Sequence, residues 1–182
     1  MKYPGIRLTT LLAASWLCIL CTTVHAQAPS SEFTTTAAKK VKILEDSSLE
    51  KNPEIDHFRH LCPGLGGYQV IHEGGDLRSW LNLKINGKTT DLMTATLTGI
   101  PGQFPAKAND VVQWRGFRKG DIFIPFAIIY RVRSSTADEK QQPIDTFVII
   151  KLDKENSKVV AHQPGKDGNE KAEQLADKLC KP

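Results

Sequence analysis

The sequence predicts one α+β domain, a mainly antiparallel β-sheet of hairpin and meander packed against a C-terminal amphipathic helix. Three observations predict it. Apolar residues alternate with period two between Tyr68 and Ile85, interrupted by Gly74-Gly75 and followed by Asn86-Gly87. Short apolar runs at 111–115, 124–133, 146–152 and 158–162 then alternate with turn-rich segments. Ala172, Leu175, Ala176 and Leu179 recur at i, i+3, i+4 and i+7, the stripe of a helix that covers a sheet face.

In chain order, residues 1–26 read as a secretory signal peptide. Lys2 and Arg7 precede an uncharged, mostly apolar run from Leu8 to Val24, and Val24-His25-Ala26 supplies small residues at the cleavage positions. The run holds several Ser and Thr and sits at the lower limit of a membrane span, so cleavage without a remaining anchor is expected. The product is then periplasmic or secreted. Cleavage removes Lys2 and Arg7 and lowers the formal charge of +4 by two. A chain so nearly balanced has no electrostatic basis for binding nucleic acid. Cys18 and Cys21 leave with the leader, so Cys62 and Cys180 are expected to pair in an oxidising compartment. In the chain-entropy model that bridge contributes roughly 4–5 kcal/mol.

Residues 27–40 are rich in Ser and Thr and read as a flexible leader, which places a single domain at 41–182. Val41 and Ile43 suggest a short strand, and Asn52-Pro53 suggests the opening of a helical turn. Leu77, Ser79, Leu81, Leu83 and Ile85 form one face of the clearest strand, with Arg78, Trp80, Asn82 and Lys84 on the other. A three-residue loop at Asn86-Gly87-Lys88 would set Leu81 opposite Met93, Ser79 opposite Ala95 and Leu77 opposite Leu97, gathering the returning apolar residues on one face. The segment 99–109, with Pro101 and Pro105, is expected as a loop. Asn169 is the expected N-cap of the last helix.

The succession Cys62-Pro63-Gly64-Leu65-Gly66-Gly67-Tyr68, Asp76-Leu77-Arg78, Gln113-Trp114-Arg115, Pro125-Phe126-Ala127-Ile128, Val160-Ala161 and Leu175-Ala176-Asp177 resembles a group of small, uncharacterised secreted proteins of rhizobia-like bacteria. The resemblance spans most of residues 60–180. It implies export and a shared fold, and it implies no activity. The chain departs from the group at Lys158, near where relatives are expected to carry a further Cys.

Candidate chemistry is sparse. In Asp56-His57-Phe58-Arg59-His60-Leu61-Cys62 a helical turn would place His57 and His60 on one face, making them secondary metal candidates. The pattern lacks the Glu and the third ligand of an HExxH site, so no metal, cofactor or catalytic residue is assigned. Glu73 and Asp76 flank a Gly-Gly turn, where a turn-closing role outweighs paired acid–base work. The glycines after Cys62 lack the Lys-Ser/Thr ending of a phosphate loop, and no G-x-S-x-G elbow occurs. The remaining candidate is a basic-aromatic contact surface of Arg78, Trp80, Trp114 and Arg115, since Arg and aromatics favour interaction centres. Packing of both Trp residues inside the sheet is its structural alternative. The expected function is therefore a non-catalytic periplasmic or secreted module that binds an unknown protein or envelope component. A small secreted hydrolase, metal-assisted at His57 and His60, is the alternative.

Overall fold

In chain order the elements are β1 (Ser30–Thr35), β2 (Lys42–Asp46), β3 (His57–Cys62), β4 (Gln69–Gly75), β5 (Arg78–Ile85), β6 (Lys88–Thr90), α1 (Met93–Leu97), β7 (Gln103–Lys119), β8 (Ile122–Ser135), β9 (Pro143–Lys151), β10 (Lys158–Pro164) and α2 (Gly168–Leu179). The computed structural model describes residues 27–49, 56–165 and 167–182. The expected signal peptide and the turn at Pro53 lie outside the described residues. No helix among the described residues is long and apolar enough to cross a membrane.

The hydrogen-bonded path runs β10-β9-β8-β7-β5-β4-β3-β2, with β1 on β7 and β6 on β5. Every pairing is antiparallel except β5 with β7, which meet at a single parallel pair, Arg78 and Ala106. That sparse junction lets the path fold back on itself. Val70, Leu81 and Leu83 from one half join Val112, Trp114, Ile128, Tyr130, Val148 and Ile150 from the other in one buried cluster. Alternation explains the geometry, because residues paired across neighbouring strands share a face. Each fully buried Ile, Leu or Val here contributes about 1.5–3 kcal/mol over exposure.

On the opposite face of β8 and β9, Phe126, Ala127, Ile129 and Ile149 form a second cluster with Ala172, Ala176 and Cys180. Helix α2 buries Gly168, Ala172 and Ala176, a stripe of small residues at i, i+4 and i+8. Small side chains let the helix axis lie close to the sheet, whereas Leu179, expected to point inward, is 40% exposed. Asp167 occupies the N-cap position without a side-chain cap bond. Asn169, the expected cap, lies two residues further on, in the first turn, and donates Nδ2 to Glu173 Oε1 at 3.3 Å.

Several expectations are corrected. The leader at 27–40 is not loose, because Ser30–Thr35 is strand β1, paired residue by residue with Gly116 to Val111. Order therefore begins before Val41. Its Ser and Thr side chains serve as acceptors: Trp114 Nε1 donates to Thr34 Oγ1 at 2.9 Å, and Gln113 Nε2 and Arg115 donate to Ser31 Oγ at 2.8 and 3.0 Å. The hairpin after β5 has a two-residue turn, with Ile85 opposite Lys88. Asn86 and Gly87 both take positive φ, 51° and 80°, the backbone of a type I′ turn. The return strand ends at Thr90, because Asn82 Oδ1 accepts the Leu92 amide at 2.7 Å and the chain turns into α1. Residues 103–109, expected as loop, belong to the long strand β7.

Cys62 and Cys180, expected to pair, are not bonded to each other in the structure. Both thiols are free and buried. Cys62 lies in the cluster between the two halves and Cys180 in the cluster under α2. Burial raises both thiols, Cys180 to about 11.

Candidate functional site

The segment 57–62 is a strand rather than a helical turn, so residues three apart point to opposite faces. His57 lies on the outer face, between Glu73 Oε1 at 3.4 Å and Glu45 Oε2 at 3.7 Å. Glu73 Oε2 also accepts Arg59 Nε at 3.2 Å and Asn82 Nδ2 at 3.0 Å. His60 lies on the inner face and meets Asp46 Oδ2 at 3.1 Å. The two histidines, secondary metal candidates in the sequence, do not converge. Among the described residues no group of three or more His, Cys, Asp or Glu is arranged to hold a metal ion.

The expected basic-aromatic surface also separates. Trp114 is fully buried between the halves. Arg115 points to the other face, 7% exposed, and binds Asp177 and Glu173 of α2. Trp80 is buried on β5, with its Nε1 unpartnered. Arg78 alone reaches the surface, where it pairs with Asp76 and lies 4.7 Å from the Phe104 ring centroid. Those four residues form no common patch.

The structure does assemble polar groups that sequence reading kept apart. At one end of the shared core a cleft of about 430 Å³ is lined by Asp46, Asp56, His60 and His72 from one half and by Thr36 and Asp110 at the start of the other. His60 and His72 are cross-strand partners, and the Phe58 ring lies 5.0 Å from each. Asp46 accepts Ser48 Oγ and His60 Nε2. These bonds hold its carboxyl below the usual carboxylate range, with Ser48 the larger cause. The carboxylate stands between hydroxyl and imidazole, so His60 is not bonded to Ser48 as a base would be to a nucleophile. Among the described residues, the buried side-chain atom of this cleft without a hydrogen-bond partner is His72 Nε2.

Burial, followed by the neighbouring His60, lowers His72 from 6.5 to about 4. Its folded pKa is depressed, so the unfolded chain binds the extra proton between those values. The contribution of His72 to stability is fully present above about 6.5 and is lost as pH falls toward about 4. The corresponding free energy is on the order of 3 kcal/mol. Urea midpoints measured at pH 4.5 and pH 7 are expected to diverge less in His72→Gln than in the parent chain. Equal divergence would rule out a neutral, buried His72.

The second feature is an edge. Strand β1 pairs with β7 over six consecutive residues without a bulge, and among the described residues no other element packs substantially against it. Phe33, 61% exposed, projects from it near Val111, itself 49% exposed. Sequence reading missed β1 because a Ser/Thr-rich stretch has the composition of a linker. The signal available was the β-branched Thr34-Thr35 beside Phe33.

Compared with known proteins, the chain matches no protein-family model, no curated protein and no solved structure.

Proposed function

We propose that the chain is an exported, non-catalytic module that binds another protein by accepting an extended segment of it as an additional strand on the outer edge of β1. The observation that carries this reading is the contrast among the sheet's edges. An exposed edge strand is a template for pairing, and proteins blunt it with bulges, Lys, Pro or short length. Strand β10 carries Lys158, Pro164 and a register shift between Val159 and Ala161. Strand β2 carries Lys42 and a shift between Ile43 and Glu45, and β6 is three residues long. Strand β1 has no bulge, no Lys and no Pro, and it displays Phe33.

Strand addition draws affinity from backbone hydrogen bonds and specificity from alternate side chains. Phe33 and Val111 offer an apolar anchor for the incoming segment. A polypeptide, rather than another envelope component, supplies the complementary backbone groups. Export rests on the basic start, apolar run and small-residue end of residues 1–26.

The test starts with a photoreactive benzoylphenylalanine in place of Phe33, expressed in the native compartment, with the same group at Ile122 as control. The segment crosslinked from position 33 is then synthesised as a peptide. That peptide is expected to bind and to slow hydrogen exchange of the β1 amides, while its alternately N-methylated form is not. Crosslinks equal at both positions, or binding that survives N-methylation, overturn strand addition. Crosslinks only to a second copy of the chain overturn the heterologous partner in favour of self-pairing.

A further inference from the structure

We infer that a pocket on the α2 side of the β7–β10 half binds a small apolar carboxylic acid, with the carboxylate held by Arg131. The register places the lining on one face: Phe33 pairs with Gln113, Gln113 with Ile129, and Arg131 with Phe147. The start of α2 closes one side through Asn169, and the resulting open groove has a volume of about 230 Å³. Gly168 lets the helix come this close, because a Cβ there would stand 2.5 Å from the Phe147 ring. The walls from Phe33, Val111, Ile129 and Phe147 are apolar. The volume lies below the roughly 300–1,000 Å³ of drug-sized pockets, which suits one aromatic ring or a short aliphatic chain.

Arg131 is the one charged side chain in the lining. Its guanidinium is under-used. Among the described residues Nε is buried without a hydrogen-bond partner, and NH1 reaches Asp145 Oδ2 only at 3.3 Å. Asp145 is held more closely by Arg133, at 2.7 and 3.0 Å, so one carboxylate serves two guanidinium groups and positive charge is left in excess there. The nearby Glu173 is countered by Gln113 at 2.6 Å and Arg115 at 3.4 Å. A guanidinium that shares a single carboxylate with a second arginine keeps donors for another acceptor. A carboxylate set against its terminal nitrogens takes two charge-assisted bonds, and an apolar tail places the rest of the molecule against the rings. A neutral alcohol supplies neither the charge nor the second acceptor oxygen.

The experiment titrates the full mature chain with 3-phenylpropionate and hexanoate, using 3-phenylpropan-1-ol as the neutral control, by calorimetry and amide NMR shifts. At least one acid is expected to bind saturably, at least tenfold tighter than the alcohol, with shifts concentrated at residues 33, 111, 131 and 169. Arg131→Gln should weaken that acid at least tenfold with the melting temperature little changed, since Asp145 keeps Arg133. Where that variant does not fold, Arg131→Lys should show the same loss, because a single ammonium cannot offer the two nitrogens of the guanidinium fork. Absence of saturable binding by both acids overturns the inference. So does equal binding of the alcohol, an undiminished affinity in the folded variant, or shifts centred elsewhere. These probes carry no strand-forming backbone, so their failure leaves strand addition at β1 standing, and the reverse.

Discussion

Replacing Trp114 by alanine is expected to destabilise the chain by about 3–5 kcal/mol, the cost of emptying a fully buried aromatic site. Trp114 has no exposed surface, lies on β7 between β1 and β8, and belongs to the cluster that joins both halves of the sheet. Its ring centroid stands 6.5 Å from that of Tyr68, across the shared core. The neighbours are strands fixed in register, so the space left behind would not collapse. The indole adds a polar obligation, since Nε1 donates to Thr34 Oγ1 on β1. Thr34→Val keeps the shape and removes the acceptor, and should cost about 1–3 kcal/mol for the unsatisfied N–H. Urea unfolding of both variants measures these values. A loss below about 1 kcal/mol for Trp114→Ala would show that Trp114 does not hold the two halves together.

Asp177→Ala is expected to cost more than Arg115→Met, although the two changes break the same pair. Arg115 is the buried partner: its side chain is 9% exposed, against 29% for Asp177 and 31% for Glu173. Arg115 Nε donates to Asp177 Oδ1 at 3.0 Å, and a second nitrogen reaches Oδ2. Removing Asp177 strands a guanidinium in a mostly dry site with only Ser31 and the longer contact to Glu173. A loss of about 3 kcal/mol is expected for a buried charge left short of partners. Arg115→Met instead leaves two carboxylates that can turn toward water, and Met fills part of the volume, so about 1–2 kcal/mol is expected. Chemical denaturation of both single variants and the double variant checks the order. A larger loss for Arg115→Met would show that packing of the Arg stem, not its charge, fastens α2.

The alternation of Leu81, Leu83 and Ile85 could be read directly because each of those residues is buried by local geometry that any half-buried strand shares. The same holds for the apolar runs that became β7 to β10. What could not be read was set by distant partners. Ser31 and Thr34 are tied into the strand by accepting from Gln113, Trp114 and Arg115, donors some eighty positions away. The hairpin after β5 was misread because apolar matching was weighed above turn chemistry, and Asn82, a residue before the turn, ends the return strand. His57 and His60 were three apart, a spacing that gathers side chains on a helix and divides them on a strand. The cleft was illegible for another reason: Thr36, Asp46 and Asp110 meet only after the path has folded back. The groove beside Arg131 likewise needs β1, β9 and the start of α2 to be in place.

The burial of both cysteines has a consequence for how the folded chain meets reagents. Cys62 and Cys180 are 3% and 2% exposed inside packed clusters, and burial raises both thiols above their ordinary range. A thiol held protonated and out of reach is a poor nucleophile. Alkylating reagents that attack through the thiolate should therefore label each cysteine only as its own cluster opens, so that two labelling rates on one chain report the loosening of the shared core and of the packing under α2 separately.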